Sequence, residues 1–497
     1  MPVIGGGAHI LVFPYPAQGH MIPLLDLTHH LATLGLTVTV LVTPKNLSLL
    51  NPLLSKHPSS IKTLVLPFPT HPSLPAGVEN AKDLTPKSAP AMMRALGELR
   101  QPLLQWFKSH PSPPIAIVSD MFLGWTHHLA CQLGILRVVF SPSGAMALSV
   151  MYYLWRDLPK RNDPDDHSAM ISFPKMPNSP IYPWYQLSGL YRSYIEGDPV
   201  SEFIKDGFRA NMESWGLVIN SFESLEKDYL DYLKNELGHD RVWTVGPLLD
   251  PSGPTERGGP GANWAGDIMT WLDSCKDHTV VYVCFGSQAV LTSEQMEALG
   301  LGLEKSGATF IWCIKEARGD AKCGVVPPGL EDLVAGRGRI VRGWAPQVSI
   351  LSHRAVGAFL THCGWNSVLE GLVAGVAMLA WPMGADQFVN ATLLVEELKV
   401  AIRVCEGAES VPNSDELGRL VAQLVVDRNR VEMVRAMESS KAVLNAIKGG
   451  GSSFKDLDRL VMHLTKEASL RDKILDVEQK CSTMEFTDNH YKPIMHA

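Results

Sequence analysis

Short apolar runs recur along the chain, each followed by a stretch in which apolar residues return every three or four positions. Runs of about five residues bounded by Gly, Pro or polar positions read as buried strands, and the longer periodic stretches as helices. In the first half, strands are predicted at His9–Phe13, Thr37–Val42, 61–66, 115–118 and 138–140. Leu24, Leu25, Leu27 and Leu31 fall on one face and predict a helix over 21–34, leaving 14–20 as a loop. The second half repeats the pattern, with strands at 280–285, 310–314, 356–360, 378–380 and 401–404. Helices are predicted over Trp365–Ala374, from about 414 to 448, and over 454–464. Continuous apolar strands alternating with helices indicate parallel sheets covered on both faces, so the fold class is α/β with two doubly wound halves.

Length supports the division, because 497 residues exceed what one core normally organises. The Gly- and Pro-rich segment 246–266 is the candidate linker, giving domains 1–248 and 249–465. Beyond residue 465 the apolar pattern lapses, and the tail 466–497 is expected to be poorly ordered. Long irregular segments at 66–90 and 174–194 have the length of substrate walls or lids.

Charge narrows the classes of partner. The net charge is −7, from 44 basic and 51 acidic residues, and no basic cluster appears, which argues against nucleic acid or an anionic membrane. No apolar run approaches the length of a membrane-spanning helix. No basic segment precedes the short apolar stretch at 9–16, so a secretory signal is not expected. The eight cysteines are scattered without a CxxC pair, which gives zinc no support. Several lie inside apolar runs, as Cys284 and Cys313 do, consistent with free thiols in a reducing cytoplasm.

The segment from Trp344 to Gln387, WAPQVSILSHRAVGAFLTHCGWNSVLEGLVAGVAMLAWPMGADQ, carries the most chemistry. Its apolar strand ends at Thr361-His362-Cys363-Gly364, and Trp365-Asn366-Ser367 opens a helix. Strand, Gly-containing turn and helix N-terminus together make an anion site, with free N–H groups and the positive helix end facing a phosphate. Glu370 stands one helical turn after Asn366 and can accept from the two hydroxyls of a ribose. Trp344 offers a flat face to a base, and Asp386-Gln387, after the next strand, suits sugar hydroxyls.

This block resembles the donor-binding signature of plant family-1 UDP-sugar-dependent glycosyltransferases. The resemblance runs over roughly residues 8 to 465. It implies the GT-B architecture, two Rossmann-like domains facing across a cleft, with the acceptor on the N-terminal side and the UDP-sugar on the C-terminal side. The donor contacts it implies are Ser287, Trp344, the backbone of Ala345, Gln347, His362, Trp365, Asn366, Ser367, Glu370, Asp386 and Gln387. The segments PYPAQGHMIPLLDLTHHLA and WPMGADQFVNATLLVEELKVAIRVCEG are similar to the group with flavonol 7-O-rhamnosyltransferases and phenolic glucosyltransferases. Ala377 departs from the family pattern, in which Pro usually follows Gly-Val.

Sugar transfer to a hydroxyl needs a base, and His20, after the first strand, is the candidate. Asp120 follows the strand at 115–118 and is its candidate partner, able to hold one ring nitrogen and stabilise the imidazolium. The family carries this His–Asp pair at matching positions, so the resemblance supplies the pairing. The reaction it implies is an inverting displacement giving a β-O-glycoside. Asp163-Pro164-Asp165 and Asp456-Leu457-Asp458 are the only DxD sequences, and neither follows a strand, so no metal and no cofactor beyond the UDP-sugar co-substrate is expected. The ending Asp386-Gln387 resembles members using UDP-glucose, while UDP-rhamnose or UDP-xylose stays open.

For the acceptor, Trp125, Met146, Met151, Tyr152, Tyr153, Trp155, Trp184, Tyr185 and Tyr191 populate the loops of the first half. With Gln18 in the first loop, Trp125, Met146, Tyr185 and Tyr191 are the candidate wall of a flat pocket for a small phenolic acceptor such as a flavonoid or benzoate. A monomer is expected. A catalytically silent UDP-sugar-binding protein is the alternative of a different class. A dinucleotide-dependent oxidoreductase is a poor fit, since no G-x-G-x-x-G follows the first strand, and a serine hydrolase lacks its G-x-S-x-G elbow.

Overall fold

The computed structural model describes residues 7–249, 264–315 and 324–485. Most of the linker expected at 246–266, part of the Gly5-Gly6-Gly7 leader and the last twelve residues of the expected tail lie outside the described residues.

The first lobe is built on a seven-stranded sheet. In chain order its strands are β1 (His9–Phe13), β2 (Thr37–Val42), β3 (Ile61–Val65), β4 (Ala116–Asp120) and β5 (Leu136–Ser141). A small antiparallel hairpin, β6 (Met170–Ser172) and β7 (Ile181–Pro183), stands apart, and β8 (Gly216–Ile219) and β9 (Val242–Thr244) complete the sheet. The order is β3-β2-β1-β4-β5-β8-β9, parallel throughout. The second lobe has six parallel strands: β10 (Val280–Cys284), β11 (Thr309–Ile314), β12 (Gly338–Arg342), β13 (Val356–Thr361), β14 (Ala377–Ala380) and β15 (Ala401–Arg403). Their order is β12-β11-β10-β13-β14-β15. The central strands β1, β4, β10 and β13 are buried almost throughout, as their continuous apolar sequences require.

Both sheets change direction beside their first strand: β2 and β4 flank β1, and β11 and β13 flank β10. Such switch points open a crevice at the carboxyl ends of the strands.

Two elements differ from the sequence reading. The first helix spans Gln18–Thr33, so His20 belongs to its first turn instead of the preceding loop. Pro23 lies in the second turn and leaves the Gly19 carbonyl without its usual helical donor; that carbonyl accepts from Asn366 Nδ2 at 3.0 Å instead. The last helix runs from Ser452 to Glu485, well past the point where the tail was expected to fray. Its buried Leu460, Val461 and Leu464 join the core formed by β1, β2 and Trp243, with Leu457 and Ala468 against the same core. Asp456 Oδ2 accepts from Thr244 N at 2.9 Å, and Ser453 Oγ donates to the Gly246 carbonyl at 2.6 Å. This helix therefore leaves the second lobe, where the sequence placed it, and packs on the first.

Candidate active site

A cavity of about 1530 Å³ lies between the lobes and is lined by both. Gln18, Gly19, His20, Phe122, Ser143, Met151 and Trp155 come from the first lobe. Gly286, Ser287, Trp344, Ala345, Gln347, His362, Trp365, Asn366, Ser367, Glu370, Asp386 and Gln387 come from the second. Every candidate donor residue thus borders one space.

On the first-lobe side, β4 delivers Asp120 and the first helix delivers His20. Asp120 is fully buried; Oδ2 lies 2.8 Å from His20 Nδ1, and Oδ1 accepts from Phe122 N at 2.9 Å. A carboxylate only accepts, so Nδ1 carries the hydrogen, and in the neutral ring the lone pair then lies on Nε2. The rings of Phe122 and Tyr15 flank the imidazole, with centroids at 4.6 and 5.3 Å, and restrict its rotation. Beneath Asp120 sits Arg137, fully buried and untouched by the sequence reading. Its guanidinium donates to Asn211 Oδ1 (2.6 Å), Ser214 Oγ (2.9 Å), Ser119 Oγ and Thr126 Oγ1 (3.2 Å each), and to the Asp120 carbonyl (3.4 Å). Burial draws its pKa down to about 10, which leaves it cationic at neutral pH. Its sequence neighbours in β5 are apolar, so nothing in the pattern marked it as polar.

On the second-lobe side, the Trp365–Ala374 helix has Gly364 as N-cap, with no side chain satisfying its first amides. His362 stands beside this N-terminus. A side chain at Gly286 or at Gly364 would collide with its Nε2, so two glycines make room for the ring. Its Nδ1 is buried without a partner, and burial lowers the pKa to about 4, so the ring is neutral at physiological pH. Asn366 Oδ1 is likewise buried without a partner. Gln347 Nε2 donates to Ser367 Oγ (2.9 Å) and Glu370 Oε2 (2.7 Å), tying three of the candidate residues into one network.

Three candidate donor residues have more than the expected work. Trp365 borders the cavity, yet its Nε1 donates to the Asn220 carbonyl at 2.7 Å and its ring abuts Gly144, so it also joins the lobes. Asp386 Oδ2 accepts from Ser143 Oγ at 2.5 Å, again across the lobes. Gln387 Oε1 accepts from the amides of Met383 and Gly384, which occupies its oxygen within its own loop.

The acceptor wall is where the sequence reading misplaces residues. Of its named candidates Gln18 lines the cavity; Trp125, Met146, Tyr185 and Tyr191 do not. Trp125 packs edge-on against Phe13 in the core, and Met146 is buried in the helix Ala145–Asp157. Tyr191 donates to the Pro159 carbonyl, and Tyr185 is exposed and donates to Glu406 of the second lobe at 2.9 Å. Met151 and Trp155 reach the cavity from one helix, joined by Met92, Phe122, Leu148 and Ile204. Core, surface and wall positions draw on the same residue types, so composition does not separate them; on the helix Ala145–Asp157 it is phase that turns Met151 and Trp155 to the cavity and Met146 away. Neither DxD sequence lines the cavity, and among the described residues no group of three or more potential metal ligands occurs.

Two Rossmann-like lobes, a His–Asp pair on one rim and a helix N-terminus with ribose- and sugar-suited side chains on the other define a nucleotide-sugar-dependent transferase. Comparison with known proteins agrees. The family model for UDP-glucoronosyl and UDP-glucosyl transferases matches residues 260–411. UDP-glycosyltransferase 89B2 of Stevia rebaudiana is 59% identical over 94% of this chain and 100% of its own length. Flavonol 3-O-glucosyltransferase UGT89B1 of Arabidopsis thaliana is 56% identical, over 92% and 96%. The crystal structure of Arabidopsis thaliana UGT89C1 complexed with UDP-L-rhamnose superposes with a TM-score of 0.78 at 42% identity, covering 92% of this chain and 99% of that one. The same protein has been solved with quercetin. The chain belongs to the plant UDP-glycosyltransferase family and is a UDP-glycosyltransferase of the GT-B fold. Among the described residues no helix is long and apolar enough to cross a membrane.

Proposed function

We propose that this enzyme transfers glucose from UDP-glucose to a hydroxyl of a small phenolic acceptor, a flavonol or a hydroxybenzoate, with inversion and without a metal. The observation that carries this reading is the 2.8 Å pairing of His20 with buried Asp120 on the cavity wall facing the second-lobe helix N-terminus. In this reading His20 Nε2 removes the acceptor proton as the oxygen attacks the anomeric carbon, and UDP departs on the opposite face. Asp120 fixes the tautomer and balances the imidazolium that forms. A phenol suits this base, since a pKa of about 10 lies far closer to imidazole than an aliphatic alcohol does.

The leaving pyrophosphate meets the helix N-terminus, neutral His362, Asn366, Ser367 and Ser287, while Trp344 and Ala345 take the uracil, Glu370 and Gln347 the ribose, and Asp386 and Gln387 the sugar. The cavity is apolar on the acceptor side, with Phe122, Met151 and Trp155, as a flat aromatic acceptor requires. The flavonol glucosyltransferase relative supports both glucose and the acceptor class. UDP-rhamnose is the second reading, supported by the UDP-L-rhamnose complex of UGT89C1. A matrix of UDP-glucose, UDP-rhamnose, UDP-xylose and UDP-galactose against flavonols and simple phenols, read by product mass, decides it. Highest turnover with UDP-glucose is expected; turnover confined to UDP-rhamnose overturns the glucose assignment.

A further inference from the structure

Cys284 ends β10 and Cys313 lies in β11, and the two are direct register partners in neighbouring parallel strands. Residues in register on adjacent strands project to the same face of a sheet. Both cysteines line the interlobe cavity, and both are free thiols. Cys313 Sγ lies 3.2 Å from the Gly343 carbonyl, one residue before Trp344, so the pair sits next to the candidate uracil platform. The thiols perturb one another: the neighbouring Cys313 thiol lowers the Cys284 pKa against the opposing effect of burial, and Cys313 is pushed up.

We propose that Cys284 and Cys313 form a two-thiol site, in the cavity wall, that captures a trivalent organoarsenical. The choice of ligand follows from geometry. Neighbouring strands are about 4.8 Å apart with nearly parallel Cβ directions. A disulfide needs Cβ atoms within about 3.5–4.5 Å, so direct oxidation would pinch the sheet. A single bridging atom holding both sulfurs spans the gap without that distortion. Among the described residues the two cysteines belong to no cluster of three or more potential ligands, so a tetrahedral zinc site is not formed. A monosubstituted arsenic(III) centre needs two thiolates and no more. The step is a condensation without change of oxidation state. Two S–H bonds and the arsenic–oxygen bond of an arsenoxide break, two As–S bonds form, and the oxygen leaves as water. Thiolate softness favours the product.

An arsenical bound here obstructs the nucleotide; that inhibition rests on the reading of this cavity as the UDP-sugar site, and the capture itself does not. The test uses the full chain and phenylarsine oxide, in the presence of excess monothiol, read by intact mass and peptide mapping. One phenylarsenic group per chain is expected, bridging the peptides of Cys284 and Cys313 and released by ethane-1,2-dithiol. Cys284→Ala and Cys313→Ala, each checked for native circular dichroism, should lose the chelate gain and hold the reagent about 100-fold more weakly. The two variants are independent, so one folded variant suffices. Unchanged retention in a folded variant, or no uptake by the native chain, overturns the site. Saturating UDP should slow capture. Capture indifferent to UDP still supports the two-thiol site and contradicts instead the placement of the nucleotide beside it.

Discussion

Asn366 Nδ2 donates across the cleft to the carbonyl oxygen of Gly19, at 3.0 Å. Gly19 immediately precedes His20, so a residue of the second-lobe anion site is bonded to the backbone that carries the candidate base. This contact ties the position of His20 to the lobe that would hold the donor. Asn366→Ala removes the tether and, on the proposed reading of the site, a phosphate contact. A fall in kcat with a rise of about tenfold in the KM for the UDP-sugar is expected from steady-state kinetics, on the scale of one hydrogen bond to a charged group. An unchanged kcat would separate Asn366 from the alignment of His20.

Asp120→Asn keeps the shape of the pair but replaces an acceptor-only group with an amide that can turn a donor toward Nδ1. The His20 tautomer is then free to reverse, and transfer should fall by a factor of about 10²–10⁴ while UDP binding, measured by calorimetry, stays within twofold.

His362 gives a signed pH dependence. Its folded-state pKa of about 4 lies below the ordinary 6.5, because burial disfavours the charged ring. The unfolded chain therefore binds the proton first as pH falls. Stability should decline between about pH 6.5 and 4 and gain no further contribution from this residue below that, at about 1.4 kcal/mol per unit of separation. Substitution by Gln should flatten this part of the profile of Tm against pH.

Glu226 is fully buried within the first lobe and accepts from the amides of Ala145 (2.9 Å) and Met146 (2.8 Å) and from Ser221 Oγ (2.5 Å). It holds the start of the Ala145–Asp157 helix, just after Ser143, which bonds Asp386. Glu226→Gln turns one accepting oxygen into a donor facing donors. A loss of about 1–3 kcal/mol in chemical denaturation is expected, with a raised donor KM through the displaced Ser143.

Much of this was legible in the chain. The central strands announce themselves because both faces are buried and their sequences are continuously apolar. The anion site was legible because strand, glycine turn and helix start follow one another within a few residues. Short strands such as β9 and β12 escaped, since three to five residues with charged neighbours carry no period. The stripe of Leu457, Leu460, Val461 and Leu464 marks the start of the last helix. Past Leu464 the sequence turns mostly polar and Ala468 joins the first-lobe core alone among the described side chains, so the continuation to Glu485 carries no apolar period. The acceptor wall failed for a related reason: Met151 and Trp155 differ from Met146 and Tyr152 only in which way a single helix turns them.

The central claim is that the imidazole of His20 accepts the acceptor's proton while the second lobe alone grips UDP. It is tested by His20→Ala, assayed for product from UDP-glucose with a flavonol and for UDP affinity by calorimetry. Loss of turnover by a factor of about 10²–10⁴ with UDP affinity within twofold of the parent is the result expected of a general base. Turnover near the parent's would contradict it.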